Sequence, residues 1–289
     1  MELERSRIYT FLDHTKKFSI NFFDAQKFIH DVLTIQKMPS QTTDFLRNSL
    51  LSYPTLLSFT KPGEEFGLYL DSSDPYFLFK FESFQLKART LLLPETLTEY
   101  PQKIKGICRL QKFLPSNINP YTSLIEIAHE SPAEVFGKIL NQSYQVDAIL
   151  YLSPFGNQSV MIYKIPEEGG VGLSSHNTIS HQFDPDQKDS LKFLQKNQFV
   201  FDGIFKKNLN LLLDIVREFE KYSMEYLVSR VIDFACRCSK ENFIDRISSF
   251  GLDEIKQMFS ETPTLDITCD YCKTHYQITK DSFPDLIEH

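Results

Sequence analysis

Phe234-Ala235-Cys236-Arg237-Cys238-Ser239-Lys240-Glu241-Asn242-Phe243 is followed further on by Ile267-Thr268-Cys269-Asp270-Tyr271-Cys272-Lys273-Thr274-His275-Tyr276. These two segments hold four of the five cysteines, as one Cys-x-Cys and one Cys-x-x-Cys. The thirty residues from 239 to 268 lie between the pairs. Two sulfur hooks around one small folding unit are what a tetrahedral Zn²⁺ site requires. In a Cys-x-x-Cys turn both sulfurs lie on one side of a backbone knuckle. In an extended or bent Cys-x-Cys segment alternate side chains face the same way. Four thiolates at about 2.3 Å close the coordination sphere and leave no position for water. Such a centre is structural or redox-active and a poor hydrolytic site. The metal keeps its sulfurs deprotonated near neutral pH, and they stay nucleophilic toward an oxidant that reaches them.

The metal ligands read from the sequence are therefore Cys236, Cys238, Cys269 and Cys272, around one Zn²⁺. His275, three residues after Cys272, could replace one sulfur. With four cysteines at hand, an exposed strand histidine is the plainer account. The fifth cysteine, Cys108, falls in an expected strand and reads as a buried, inert thiol.

Around the hooks the pattern predicts a compact unit over 231–289. Ser239 caps a helix from Lys240 to Phe250 that Gly251 terminates, and a second helix covers Asp253–Phe259. Thr264–Thr268 and Thr274–Thr279 form a hairpin about the Cys-x-x-Cys knuckle, and Thr279 caps a last short turn. So small a core needs metal to fold.

Working toward the N-terminus, 181–230 is polar and charged, with apolar residues at helical spacing: Leu191, Leu194, Ile204, Leu209, Leu213, Val216 and Phe219. It reads as a helical linker packed on another element. The Gly- and Ser-rich stretch from Pro166 to Ser180 marks a boundary before it. Residues 1–180 read as an α+β domain of mainly antiparallel strands with helices. Its first sixty residues are expected to be helical after an extended start, with helices over Asp24–Ile35, which Asp24 caps, and Ser40–Leu51, which Tyr53-Pro54 closes. Strands are expected at Phe66–Leu70, Tyr76–Phe81, Phe84–Leu92, Ile104–Phe113, Ser123–Ala128, Ala148–Leu152 and Ser159–Ile165. Ser131-Pro132-Ala133-Glu134 carries a capping box that opens a helix.

Composition removes several function classes. A hydrophobic content of 42% supports a true core. A net charge of −7 argues against broad nucleic-acid binding, which needs clustered cations. With no Gly-x-Gly-x-x-Gly and no Walker-type loop, nucleotide binding has no support. The polar start Met1-Glu2-Leu3-Glu4-Arg5-Ser6-Arg7 lacks the apolar run of a signal peptide, and no stretch approaches a membrane span. The expected setting is cytoplasmic, where persistent disulfides are unusual.

The two hook segments, the two short helices between them and the Tyr-containing strand after them resemble the Hsp33 family of redox-regulated chaperones. The order of parts matches as well, with an α+β domain, a helical linker and a C-terminal zinc module. The specific motifs sit in roughly the last sixty residues. The resemblance implies a non-enzymatic, ATP-independent holdase that is off when reduced and zinc-loaded. It implies that oxidation forms the disulfides Cys236–Cys238 and Cys269–Cys272, releases zinc and loosens the linker. Apolar surface then captures unfolded client proteins, and the activated protein is implied to be a homodimer. Two other classes fit the hooks alone. One is a protein-binding module with a static zinc ribbon. The other is a thiol oxidoreductase using Cys269 and Cys272, against which the missing βαβ context counts.

Overall fold

In the computed structural model, residues 3–37, 43–94, 100–117, 119–166 and 188–283 are described. The chain divides into two compact units, Met1–Phe234 and Ala235–His289.

The first unit contains two sheets. Strands β1 (Arg7–Asp13) and β2 (Phe18–Asp24) open the chain. Helices α1 (Gln26–Gln36) and α2 (Thr43–Ser52) follow, and a 3-10 turn at Tyr53–Phe59 leads out of α2. An antiparallel meander comes next: β3 (Glu65–Ser73), β4 (Tyr76–Phe84), β5 (Lys87–Leu93), β6 (Ile104–Phe113) and β7 (Tyr121–Glu130). Helix α3 (Pro132–Ile139), β8 (Ala148–Leu152) and β9 (Gln158–Lys164) complete this part. Helices α4 (Asp189–Lys207) and α5 (Leu212–Glu220) then lead to β10 (Met224–Val231) and β11 (Asp233–Phe234). One sheet has the order β10-β1-β2-β9-β8 and the other β11-β5-β4-β3-β6-β7. Every pairing is antiparallel except that of β11 with β5.

Both faces of the five-stranded sheet are buried, and the two-residue period of a strand sorts its side chains. Ile8, Phe23 and Met161 enter a core shared with α1, α2, α3 and the second sheet. Tyr9, Phe11, Ile20, Phe22, Val160 and Ile162 enter a second core that α4 and α5 cover through Phe201, Ile204, Phe205, Ile215 and Phe219. The α+β class and the mainly antiparallel pairing expected from the sequence are thus present.

Several local expectations are corrected. The start is a full hairpin of β1 and β2, not a lone extended segment before helices. A strand buried on both faces carries no polar alternation to announce it. Asp13 shapes the turn, its carboxylate accepting the backbone N–H of Thr15, Lys17 and Phe18 at 2.7–2.9 Å. The run Phe84–Leu92 breaks into β4 and β5 at Gln85 and Leu86, with φ of 49° and 63°. Both central turn residues are left-handed, and neither is the Asn or Gly that usually marks such a hairpin. Helix α1 starts at Gln26 with Ala25 in the cap position, where no side chain caps it. Asp24 makes only a long contact from its carboxylate to the Gln26 N–H, at 3.3 Å. After α2 the chain continues as a 3-10 turn through Tyr53-Pro54. The stretch after α5 is strand β10, whose Met224 is buried against the helices. The capping box of α3 is present as expected. The Ser131 hydroxyl accepts from the Glu134 N–H at 3.3 Å, and the Glu134 carboxylate accepts from the Ser131 N–H at 2.7 Å. Ser40 and the boundary residues 167–180 lie outside the described residues.

Asp24 carries a consequence for stability. Burial pushes its carboxyl up to about 7, against which the bonds from Gln26 act. Its second oxygen and the Gln158 side-chain oxygen both lack a partner among the described residues, and the two residues are paired across β2 and β9. The folded state therefore favours the neutral acid, which can donate. The folded value lies above the unfolded one, so the contribution of Asp24 to stability is fully present below about pH 4. That contribution is lost as pH rises from about 4 to 7, by up to about 4 kcal/mol at 1.36 kcal/mol per unit, while carboxylates held low by their partners, such as Asp13, act in the opposite sense. Asp24→Asn is expected to flatten this slope. Urea melts of both proteins at pH 5 and pH 8 check it: the advantage of the variant should grow by about 2–3 kcal/mol between them.

Candidate metal centre

The second unit is built around the hooks. The Ser239 hydroxyl caps α6 (Lys240–Ser248) by accepting from the Asn242 N–H at 3.1 Å. The Asn242 amide reaches back to donate to the Arg237 carbonyl at 2.8 Å, which fixes the first hook against the helix start. Gly251, at φ 98°, occupies the cap position of α7 (Leu252–Glu261); α6 itself ends at Ser248, with Ser249 as its C-cap. Strands β12 (Thr264–Thr268) and β13 (His275–Thr279) pair in register from Thr264↔Thr279 to Thr268↔His275. At their closed end the Cys269 N–H donates to the Thr274 carbonyl at 2.9 Å and the Lys273 N–H to the Cys269 carbonyl at 2.8 Å. Lys273 takes φ 58°, so the chain folds into a tight knuckle that turns both sulfurs one way. The apolar support is small. Ile247, Ile255, Ile278 and Phe283 are buried, with partly buried neighbours such as Phe243 and Ile267 around them.

The four sulfurs lie within 4.8 Å of one another. Those of Cys236 and Cys269 are 3.7 Å apart, and those of Cys238 and Cys272 are 3.2 Å apart. A tetrahedron with 2.3 Å metal–sulfur bonds has edges of about 3.8 Å, so the donor set fits a tetrahedral ion. None of the four forms a disulfide. Among the described residues this is the one cluster with the ligand types and spacing to hold a metal. His275 is exposed, and its Nδ1 is 2.8 Å from the Thr268 hydroxyl, outside the cluster.

Two side chains that the sequence did not single out touch the sulfurs. The Tyr276 hydroxyl lies 3.2 Å from the Cys238 sulfur and 3.2 Å from the Cys238 carbonyl oxygen. The Phe243 ring packs on Tyr276 at 5.2 Å. The Thr274 hydroxyl lies 3.2 Å from the Cys272 sulfur. Hydroxyls that reach ligand atoms are the usual outer layer of a metal site. The thiols differ in acidity. Burial, with its sulfur neighbours, pushes Cys238 up, and burial also raises Cys269. At Cys272 burial is outweighed by the Thr274 hydroxyl and N–H and by Cys238 and Cys269, and the thiol falls to about 7. A bound cation would displace the thiol protons. Cys108, in the first unit, is fully buried, and burial followed by the charge of Asp71 pushes it up to about 12.

A two-sheet α+β unit followed by a unit that gathers four thiols on two hooks defines a narrow class of protein. A family profile described as "Hsp33 protein" matches residues 6–279. The chain belongs to the Hsp33 family, a family of chaperones rather than enzymes. A 33 kDa chaperonin of Methylobacillus flagellatus is 23% identical over 162 residues, which are 54% of this chain and 50% of that protein. One of Lactobacillus helveticus is 25% identical over 169 residues, 58% of this chain and 54% of that protein. The match thus spans about half the length of these curated relatives. One from Streptococcus suis is 38% identical over a shorter 56 residues, 19% of each chain. The crystal structure of the 33 kDa chaperonin (heat shock protein 33 homolog) from Thermotoga maritima superposes with a TM-score of 0.69 over 98% of both chains, at 13% identity. That likeness is one of fold.

Proposed function

We propose that this protein is a redox-regulated, ATP-independent holdase whose resting state is held by Zn²⁺ on Cys236, Cys238, Cys269 and Cys272. The observation that carries the reading is the gathering of four sulfurs within 4.8 Å in a unit with only four buried apolar side chains among its described residues. Bound zinc supplies the folding energy that this core lacks. With a peroxide as oxidant, one thiolate of a hook takes the terminal oxygen as a sulfenic acid and hydroxide leaves. The second thiolate of that hook then displaces a further hydroxide to close the disulfide. Two peroxides thus oxidise four thiolates to Cys236–Cys238 and Cys269–Cys272. Across the hooks the Cys236 and Cys269 sulfurs lie 3.7 Å apart and those of Cys238 and Cys272 3.2 Å apart, so peptide mapping that finds Cys236–Cys269 and Cys238–Cys272 instead would overturn this pairing.

The responding element is the segment 181–230, between a core of 1–180 and a switch of 231–289. Chain connectivity supports this division of labour. Only Ala235 separates Phe234 of β11 from Cys236. Strands β10 and β11 are each the edge strand of a sheet, and edge strands peel most readily. Loosening would uncover the apolar face of α4 and α5 and the sheet beneath it to client proteins. In the family's manner, self-association accompanies activation, and sedimentation of the oxidised protein tests it. The central experiment measures zinc content and suppression of client aggregation before and after mild peroxide with heat. Activity gained together with zinc loss supports the switch. Zinc retained with no gain marks a static staple, and rapid turnover of a disulfide substrate marks an oxidoreductase.

Tyr276 provides a finer test. A hydroxyl donating to a thiolate lowers its nucleophilicity, with a bond worth about 1 kcal/mol. Tyr276→Phe is expected to keep zinc but release it about fivefold faster in peroxide, read with a chromogenic zinc chelator.

A further inference from the structure

In an acidic chain with 38 carboxylate side chains against 31 Lys and Arg, one cavity of the first unit gathers the opposite charge. It has a volume of about 560 Å³ and opens between the β1–β2 turn, the end of β9, the first half of α4 and the α5–β10 turn. Lys17, Lys164, Lys192 and Lys196 line it, with Asp13 and Asp189. Both carboxylates are already engaged. Asp13 accepts the backbone donors of its own turn. Asp189 lies 2.8 Å from Lys164 and 3.5 Å from Lys192. Among the described residues neither Lys17 nor Lys196 meets an acidic side chain. Lys192 and Lys196 sit one helical turn apart on α4, a like-charge spacing that weakens a helix unless an anion lies against it. The Phe18 and Phe193 rings, 4.5 Å apart, make an apolar wall beside these ammonium groups.

We propose that this cavity binds a multiply charged phosphate chain. Lysines act on phosphate as point charges and need no glycine-rich loop, so the absence of such a loop does not argue against the site. The shared chemistry is the oligophosphate, which a free inorganic chain or the tail of a nucleotide can supply. A chain bound here would touch the β1–β2 turn and α4 together. It would hold the helix on the sheet and oppose the loosening proposed above. That consequence rests on the holdase reading, whereas the binding does not.

Calorimetric titration of the full-length, zinc-loaded protein with tripolyphosphate, ATP, AMP and citrate at constant ionic strength tests the site. Tripolyphosphate should bind, with a melting temperature that rises on binding and an affinity that falls steeply with salt. The double variant Lys17→Gln/Lys196→Gln should bind at least tenfold more weakly, while Lys87→Gln, on β5 outside the cavity, should bind as the parent does. ATP tighter than tripolyphosphate identifies the source as a nucleotide; equal or weaker binding identifies the inorganic chain. Citrate as tight as tripolyphosphate, or undiminished binding in the double variant, overturns the proposal. If the parent binds but its activation by peroxide is not slowed, the site stands and its link to the switch falls.

Discussion

Cys269→Ser is expected to unfold the unit Ala235–His289 while Met1–Phe234 stays folded. Cys269 is the most buried of the four hook cysteines, at 5% exposure, and its backbone closes the knuckle at both ends. Serine cannot supply a thiolate, and three sulfurs leave a tetrahedral site incomplete. The metal contributes on the order of 10–16 kcal/mol to folding of such units. Four buried apolar side chains, at about 1.5–3 kcal/mol each, do not replace it against the entropy of ordering the chain. Hydrogen exchange read by peptide should show full protection across β3, β4 and β6 and none across α6, α7 and β13. Zinc should fall to background. A chelator strong enough to strip the parent protein should reproduce the same pattern, and thermal melting should then show one transition where the parent shows two. A variant that keeps protection across β12 and β13 without zinc would mean that the apolar cluster suffices, and the metal would lose its role as the latch.

The hooks were legible because coordination chemistry ties residue type to spacing. The order and spacing of Cys236, Cys238, Cys269 and Cys272 match what a tetrahedral ion asks for, and the structure brings their sulfurs together. Two caps were legible for the same kind of reason, whereas Asp24, also expected to cap, precedes the cap position at Ala25, and Thr279 makes no side-chain cap bond. Ser131 and Ser239 each satisfy orphan N–H groups of the helix they open. The hairpin of β1 and β2 was not legible, because Ile20, Phe22 and Phe23 are all buried and the period of two is hidden. The Gln85-Leu86 turn was hidden because residues that rarely accept positive φ do so between two well-paired strands. The contact of Tyr276 with the Cys238 sulfur, 38 residues away in the chain, is beyond any local reading. Tyr276 meets Cys238 only because β13 folds back beside the first hook. The cavity lysines come from separate elements that only the tertiary fold brings together.

Phe219→Ala is expected to produce a protein that suppresses aggregation while fully reduced and zinc-loaded. The Phe219 ring is fully buried on α5, stacked on Phe11 at 4.2 Å and edge-on to Phe22 at 5.2 Å. Truncating a buried phenylalanine costs about 3–5 kcal/mol, and lost aromatic pairing is part of that cost. Beside Phe219, α5 is anchored by buried Ile215 and partly buried Leu212. Glu218 is tied to Lys221 at 2.7 Å and to Lys207, two lysines that solvent reaches and screens. The loss should therefore appear as local opening of α5 and of the edge strand β10 that follows it, and less as global unfolding, because the larger core beneath the other sheet face is untouched. Exchange should rise over 212–231 and stay low over β2 and β9, and client aggregation should be suppressed without oxidant. Leu213→Ala, at a site 61% exposed, should change neither by more than about 0.5 kcal/mol. Local opening without holdase activity would show that an uncovered linker face is not what captures clients. The chaperone surface would then have to be sought on the sheet of β3, β6 and β7, where Leu124 stands exposed beside Ile107 and Tyr76 around one shallow depression.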